Sequence, residues 1–166
     1  AVTRSAAQVG DLICVSGTVG DAAFALQHLG HPLQHRLDYP TPRCELGQAL
    51  KGLAHSMIDV SDGLAQDLGH ILKASHVGAT LQLDQLPINT ALQDVTREQQ
   101  WQYALAGGDD YELCFTISPQ NYEKLLQQQN HSSISVIGKI DAESGLRFQQ
   151  NGLDHSLQFN GYQHFA

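Results

Sequence analysis

An α+β fold, a mixed β-sheet covered by helices, follows from three observations on the 166-residue chain. Short apolar runs of strand length stand among longer stretches whose apolar residues recur three and four positions apart. The two kinds of segment mix without the strict strand–helix alternation of a doubly wound parallel sheet. Near the end, Asn151-Gly152 lies between two short apolar segments, the strongest local signal for a hairpin. The length suits about one domain, large enough for a core without disulfide or metal staples.

Element by element, Leu12-Ile13-Cys14-Val15 is a short apolar run suited to a strand. Ser16–Gly20 turns the chain into a helix over Ala22–Leu29, with Phe24, Leu26 and Leu29 on its apolar side and Gly30 as its stop. His31 to Arg43 holds Pro32, Pro40 and Pro42 and reads as an exposed connection between two units. Glu45–Ala54 returns to helical spacing, and Met57-Ile58-Asp59-Val60 has the length and character of a buried strand. Ser61 opens a helix to about Ser75, with Leu64, Leu68, Ile71 and Leu72 on one face. Thr80–Asp84 alternates as a half-buried strand, and Thr96–Leu105 is helical. Tyr111–Ile117 forms the next strand, and Ser118-Pro119 starts a helix through Gln129, proline standing where its missing N–H costs nothing. Ser133–Ile140, Leu146–Gln149 and, across the Asn-Gly turn, Leu157–Phe159 complete the strands.

Nine Lys and Arg stand against 17 Asp and Glu, a net charge of −8, so no basic patch offers a phosphate backbone its counter-charge. Nucleic acid is excluded as an expected partner. No apolar stretch approaches a membrane span, and no charged-then-apolar leader is present. Three dispersed cysteines, Cys14, Cys44 and Cys114, fit a reducing, cytoplasmic setting. The chain starts at Ala1 already in patterned sequence, which reads as a piece of a longer protein.

Two segments carry chemistry. In Met57-Ile58-Asp59-Val60-Ser61-Asp62-Gly63-Leu64 a strand passes straight into a helix, with Ser61 or Asp62 as N-cap. A helix start favours phosphate, but two carboxylates there repel it unless a divalent cation intervenes, and oxygen-only donors suit Mg²⁺. The bland alternative is that these residues merely cap the helix. Asp59 weighs against it, because a carboxylate inside an apolar strand is costly unless paired or metal-bound. The second segment, Gly107-Gly108-Asp109-Asp110-Tyr111-Glu112, packs three acids into four residues beside a strand. Its alternative is a solvated turn. The Ser16–Gly20 glycines lack a phosphate-loop lysine, His28, His31 and His35 lack the spacing of a zinc site, and Cys114 belongs to an apolar strand.

These motifs, with Val2-Thr3-Arg4, Gly10–Asp21 and the ending Gly161-Tyr162-Gln163-His164-Phe165, resemble the thiamine-monophosphate kinase family over essentially the whole chain. The Asp-x-Ser-Asp-Gly-Leu element is shared with aminoimidazole ribonucleotide synthase and selenophosphate synthetase. The resemblance implies ATP-dependent phosphorylation of thiamine phosphate to thiamine diphosphate. It implies that residues 1–166 are the C-terminal domain of a two-domain protein, and that an N-terminal domain supplies most magnesium ligands and the homodimer interface. Asp59 and Asp62 would bind Mg²⁺, Ser61 and Arg4 would contact ATP, Asp109 would contact thiamine phosphate, and Phe165 would lie against its rings. The isolated domain is expected to be inactive. Two alternatives remain open: a non-catalytic module using Asp109–Glu112 as an acidic surface, and a superfamily relative with another ATP-dependent substrate.

Overall fold

A computed structural model describes residues 2–128 and 133–157. Seven strands form one sheet: β1 (Leu12–Ser16), β2 (Ala54–Asp59), β3 (Gly78–Gln82), β4 (Leu113–Ile117), β5 (Ile134–Asp141), β6 (Gly145–Gln150) and β7 (Leu153–Asp154). Their order is β2-β4-β1-β5-β3-β6-β7. Among the described residues only the β3–β6 pair is parallel, so the sheet is mixed, and with its helices the fold is the expected α+β.

The helices are α1 (Asp21–Gln27), α2 (Gln34–Asp38), α3 (Cys44–Ala49), α4 (Leu64–Ser75), α5 (Arg97–Ala106) and α6 (Pro119–Gln127). Side chains alternate across a strand, and the sheet divides its apolar residues accordingly. Ile13, Val15, Ile58, Leu81 and Cys114 meet Leu64, Leu68 and Ile71 of α4 and Trp101 and Leu105 of α5 on one face. Cys14, Phe115 and Ile117 meet Leu46 and Leu50, at α3, and Leu125 of α6 on the other. A third cluster joins Phe24 and Ala25 of α1 to Leu33, Leu92 and Tyr103.

Several boundaries differ from expectation for local physical reasons. The first helix ends at Gln27, and Leu26 and Leu29 are exposed, so its buried face is the Phe24 side alone. The proline-rich connection contains α2. It is tied down by buried Leu33 and by Arg36, whose guanidinium lies 3.2 Å from the Asp21 carboxylate. The helix expected to reach Ala54 stops at Ala49, since Ala54 already pairs with Ile117 in the sheet. The strand expected over Thr80–Asp84 runs Gly78–Gln82 and passes into a 3₁₀ turn at Leu83–Gln85. Strand β4 begins only at Leu113, because Tyr111 has a left-handed backbone. Asn151-Gly152 does turn a hairpin, but the returning strand is the immediate Leu153–Asp154. Leu157 is not in a strand, and residues 158 and 159 lie outside the described residues.

Candidate functional site

The site forms where β2 leaves the sheet beside β4. Beyond the last regular pair, Asp59 with Leu113, the two chains stay in register through backbone bonds. The Val60 N–H donates to the Glu112 carbonyl at 2.8 Å, the Tyr111 N–H to Val60 at 2.8 Å, and the Asp109 N–H to Ser61 at 2.9 Å. Two glycines permit this approach. A Cβ on Gly108 (φ +73°) would lie 2.8 Å from the Ser61 carbonyl, and one on Gly63 (φ +129°) 2.9 Å from the Leu105 carbonyl. The Asp-Gly and Gly-Gly pairs of the two motifs are thus the two halves of one backbone contact.

Helix α4 starts at Leu64, and neither Ser61 nor Asp62 caps it: the cap position is Gly63, with no side-chain bond. The reverse arrangement holds. Asp67, buried in the first turn, accepts the Ser61 and Asp62 N–H groups on Oδ2 at 2.8 and 2.9 Å. Burial pushes the Asp67 carboxyl above the usual carboxylate range, against the lowering effect of those bonds. Sequence reasoning missed this residue. Its signal is an acid on the buried face of a helix one turn after a Ser-Asp-Gly, where only a backbone partner could satisfy it.

Arg4, Asp59, Ser61 and Asp62 all line one cavity of about 400 Å³, together with Met57, Ile58, Asp67, His70, Tyr111 and Leu113. Asp59 is exposed to it rather than buried in the strand, so the expected desolvation cost does not arise. Donor atoms of Asp62, Asp67 and His70 lie within 4.8 Å of one another, a group that could hold a metal ion. Asp62 and Asp67 offer carboxylate oxygens, the hard donors that Mg²⁺ takes, and His70 adds an imidazole nitrogen, while Asp59 lines the same cavity outside that group.

The second motif splits by burial. Asp109 is exposed, with φ +59°, and Asp110 is buried. Asp110 accepts the Gly20 and Ala22 N–H groups at 2.9 and 3.3 Å and so holds the start of α1. Burial pushes its carboxyl up to about 7, the two backbone bonds opposing and Asp21 adding to the rise. Glu112 is fully buried between Arg43, whose Nη2 donates at 2.9 Å, and Arg36 at 3.3 Å, with the Ser16 hydroxyl donating at 3.2 Å. With Asp110 and Glu112 buried the segment is not a solvated turn, and of its three acids Asp109 alone is at the surface. Phe165 lies outside the described residues, and Asp109 does not line the cavity. His28 bonds the Phe24 carbonyl and stacks on its ring, and His35 bonds the Pro32 carbonyl. Cys14 and Cys114 are buried, their thiols raised by burial.

The family model for AIR synthase related protein, C-terminal domain, matches residues 8–151. The chain belongs to that family. It is 44% identical to thiamine-monophosphate kinase of Haemophilus influenzae, over 99% of this chain and 55% of that protein. A solved thiamine-monophosphate kinase of Stenotrophomonas maltophilia superposes with a TM-score of 0.81 at 40% identity, over 93% of this chain and 54% of that one. AaThiL complexed with AMPPCP and TMP superposes at 0.74 and 26% identity, over 95% and 52%. The chain spans about half the length of the curated relatives it matches.

Proposed function

We propose that this chain is the C-terminal domain of a two-domain, homodimeric, cytoplasmic kinase that transfers the γ-phosphoryl group of ATP to thiamine phosphate, giving thiamine diphosphate. The observation that carries the reading is the convergence of Arg4, Asp59, Ser61 and Asp62 on one cavity from two distant stretches of chain. It is supported by the names of the relatives.

Asp59 and Asp62 would hold Mg²⁺, with Asp67 fixing the loop that carries Asp62. The bound ion supplies positive charge that offsets repulsion between the two anionic substrates. Arg4 and the Ser61 hydroxyl would bind and orient the ATP phosphates. Asp109, exposed two residues from the cavity wall, would bind thiamine phosphate, with Phe165 against its rings. A phosphate oxygen of thiamine phosphate attacks the γ-phosphorus, and the bond to the bridging oxygen of ADP breaks. That acceptor is already ionised near neutral pH, so no general base is required of the chain. A protein of net charge −8 reaches such anions through metal rather than through a basic patch.

The test is made in the full-length protein. Asp59→Asn and Asp62→Asn should each lower thiamine diphosphate formation by about a hundredfold or more at limiting Mg²⁺ with cooperative unfolding retained. Parent-like turnover in both would overturn the assignment. Phe165→Ala should weaken thiamine phosphate binding about tenfold and ATP binding little, the scale of one lost aromatic contact; equal effects on both ligands would remove Phe165 from the substrate site.

A further inference from the structure

We propose that the Tyr111 ring is a stacking platform for a heteroaromatic ring carried by a ligand of this cavity, a role that rests on the kinase reading above. Tyr111 has φ +52°, a left-handed conformation that tyrosine rarely adopts and that glycine or asparagine takes without comparable strain. It persists because its neighbours impose it. Asp110 is anchored to the Gly20 and Ala22 N–H groups, Glu112 is clamped between Arg36 and Arg43, and the Tyr111 N–H is bound to the Val60 carbonyl.

The two buried acids draw alternate residues inward, which leaves Asp109 and Tyr111 turned out. Tyr111 is 40% exposed, so the fold gains only part of the burial that a tyrosine offers. A strained backbone bearing a large, half-exposed aromatic side chain is a cost without a structural return, and such outliers cluster at ligand sites. Tyr111 lines the cavity together with apolar Met57, Ile58 and Leu113 and with polar Arg4, Asp59, Ser61 and Asp62. A ligand with an anionic end and a flat ring matches that mixed lining. Both ligands of the proposed reaction have this form, the adenine of ATP and the cationic thiazolium with its pyrimidine in thiamine phosphate. The face of a tyrosine accepts either.

The experiment compares full-length parent, Tyr111→Phe, Tyr111→Asn and Tyr111→Gly. Binding of Mg·ATP and of thiamine phosphate is measured separately by calorimetry, alongside unfolding temperature. Asparagine and glycine relieve the left-handed backbone, so both variants should remain as stable as the parent or nearly so. Each should nevertheless lose about tenfold in affinity for one ligand and less than twofold for the other, while phenylalanine binds both like the parent. The ligand that weakens identifies which ring stacks. Unchanged affinity for both ligands in Tyr111→Asn and Tyr111→Gly would overturn the proposal, as would an equal loss for both, which marks a disturbed loop. Parent turnover, assayed in parallel, tests the kinase reading independently, because binding is read without catalysis.

Discussion

Asp109 and Asp110 are adjacent and chemically identical, yet one faces solvent and the other is sealed against the start of α1. The consequence is a pH dependence carried by Asp110. Its carboxyl titrates near 7 in the folded chain, against an ordinary value of 3.8. Between those values the native state binds the extra proton, so this group's stabilisation is full below about 4 and is lost as pH rises through about 7. Asp110→Asn should remove that component. The fall in urea-unfolding free energy from pH 4 to pH 7 should become shallower in the variant, and an unchanged slope would place the titration elsewhere. Asp67 obeys the same logic of burial but serves the loop of Ser61 and Asp62, so its backbone bonds rather than its charge define its part.

At the level of elements, the segment between α1 and α3 is a strap held by ions. Arg36 reaches Asp21, the Thr18 carbonyl and Glu112, while Arg43 reaches Glu112 from the far end of the same segment. Gly17 admits this packing, for its Cβ would overlap the Glu112 carboxylate. Glu112→Ala would leave two guanidinium groups without their shared buried partner and should cost about 3 kcal/mol or more by denaturant unfolding. Arg43→Met, added to Glu112→Ala, should recover part of the loss, since it removes the guanidinium left unpaired while Arg36 keeps its bond to Asp21. Elsewhere ordinary caps suffice: Thr96 and Ser118 accept the Gln99 and Asn121 N–H groups at the starts of α5 and α6. Ser118→Ala should cost about 1 kcal/mol, measured the same way.

Taken whole, the molecule has a sheet covered by α4 and α5 on one face and by α3 and α6 on part of the other, with buried clusters on both. Such a core supports autonomous folding, and the 166-residue chain should unfold in one cooperative transition. Under the proposed reading it should form no thiamine diphosphate from ATP, thiamine phosphate and excess Mg²⁺. Phosphoryl transfer depends almost wholly on positioning and charge neutralisation, and half of a site loses both. Turnover comparable to the full-length protein would place the complete catalytic site within these residues.

Periodicity alone determined the elements that depend on neighbours in the chain. The strand at Leu12, the helix ending at Ser75 (expected from Ser61, beginning at Leu64), the proline-started helix at Pro119 and the Asn-Gly turn each express a local steric or amphipathic rule. The residue types at Asp59, Ser61 and Asp62 suggested oxygen-donor chemistry, and the three residues line one cavity. Burial was not local. That Asp110 and Glu112 turn inward and that Arg36 and Arg43 meet one carboxylate were decided by partners up to about ninety residues away, whereas Asp67 organises the helix start through the Ser61 and Asp62 N–H groups only six and five residues before it. The cost of burying a carboxylate is set by whether a guanidinium or a free N–H waits at its destination, and only the tertiary structure supplies that partner.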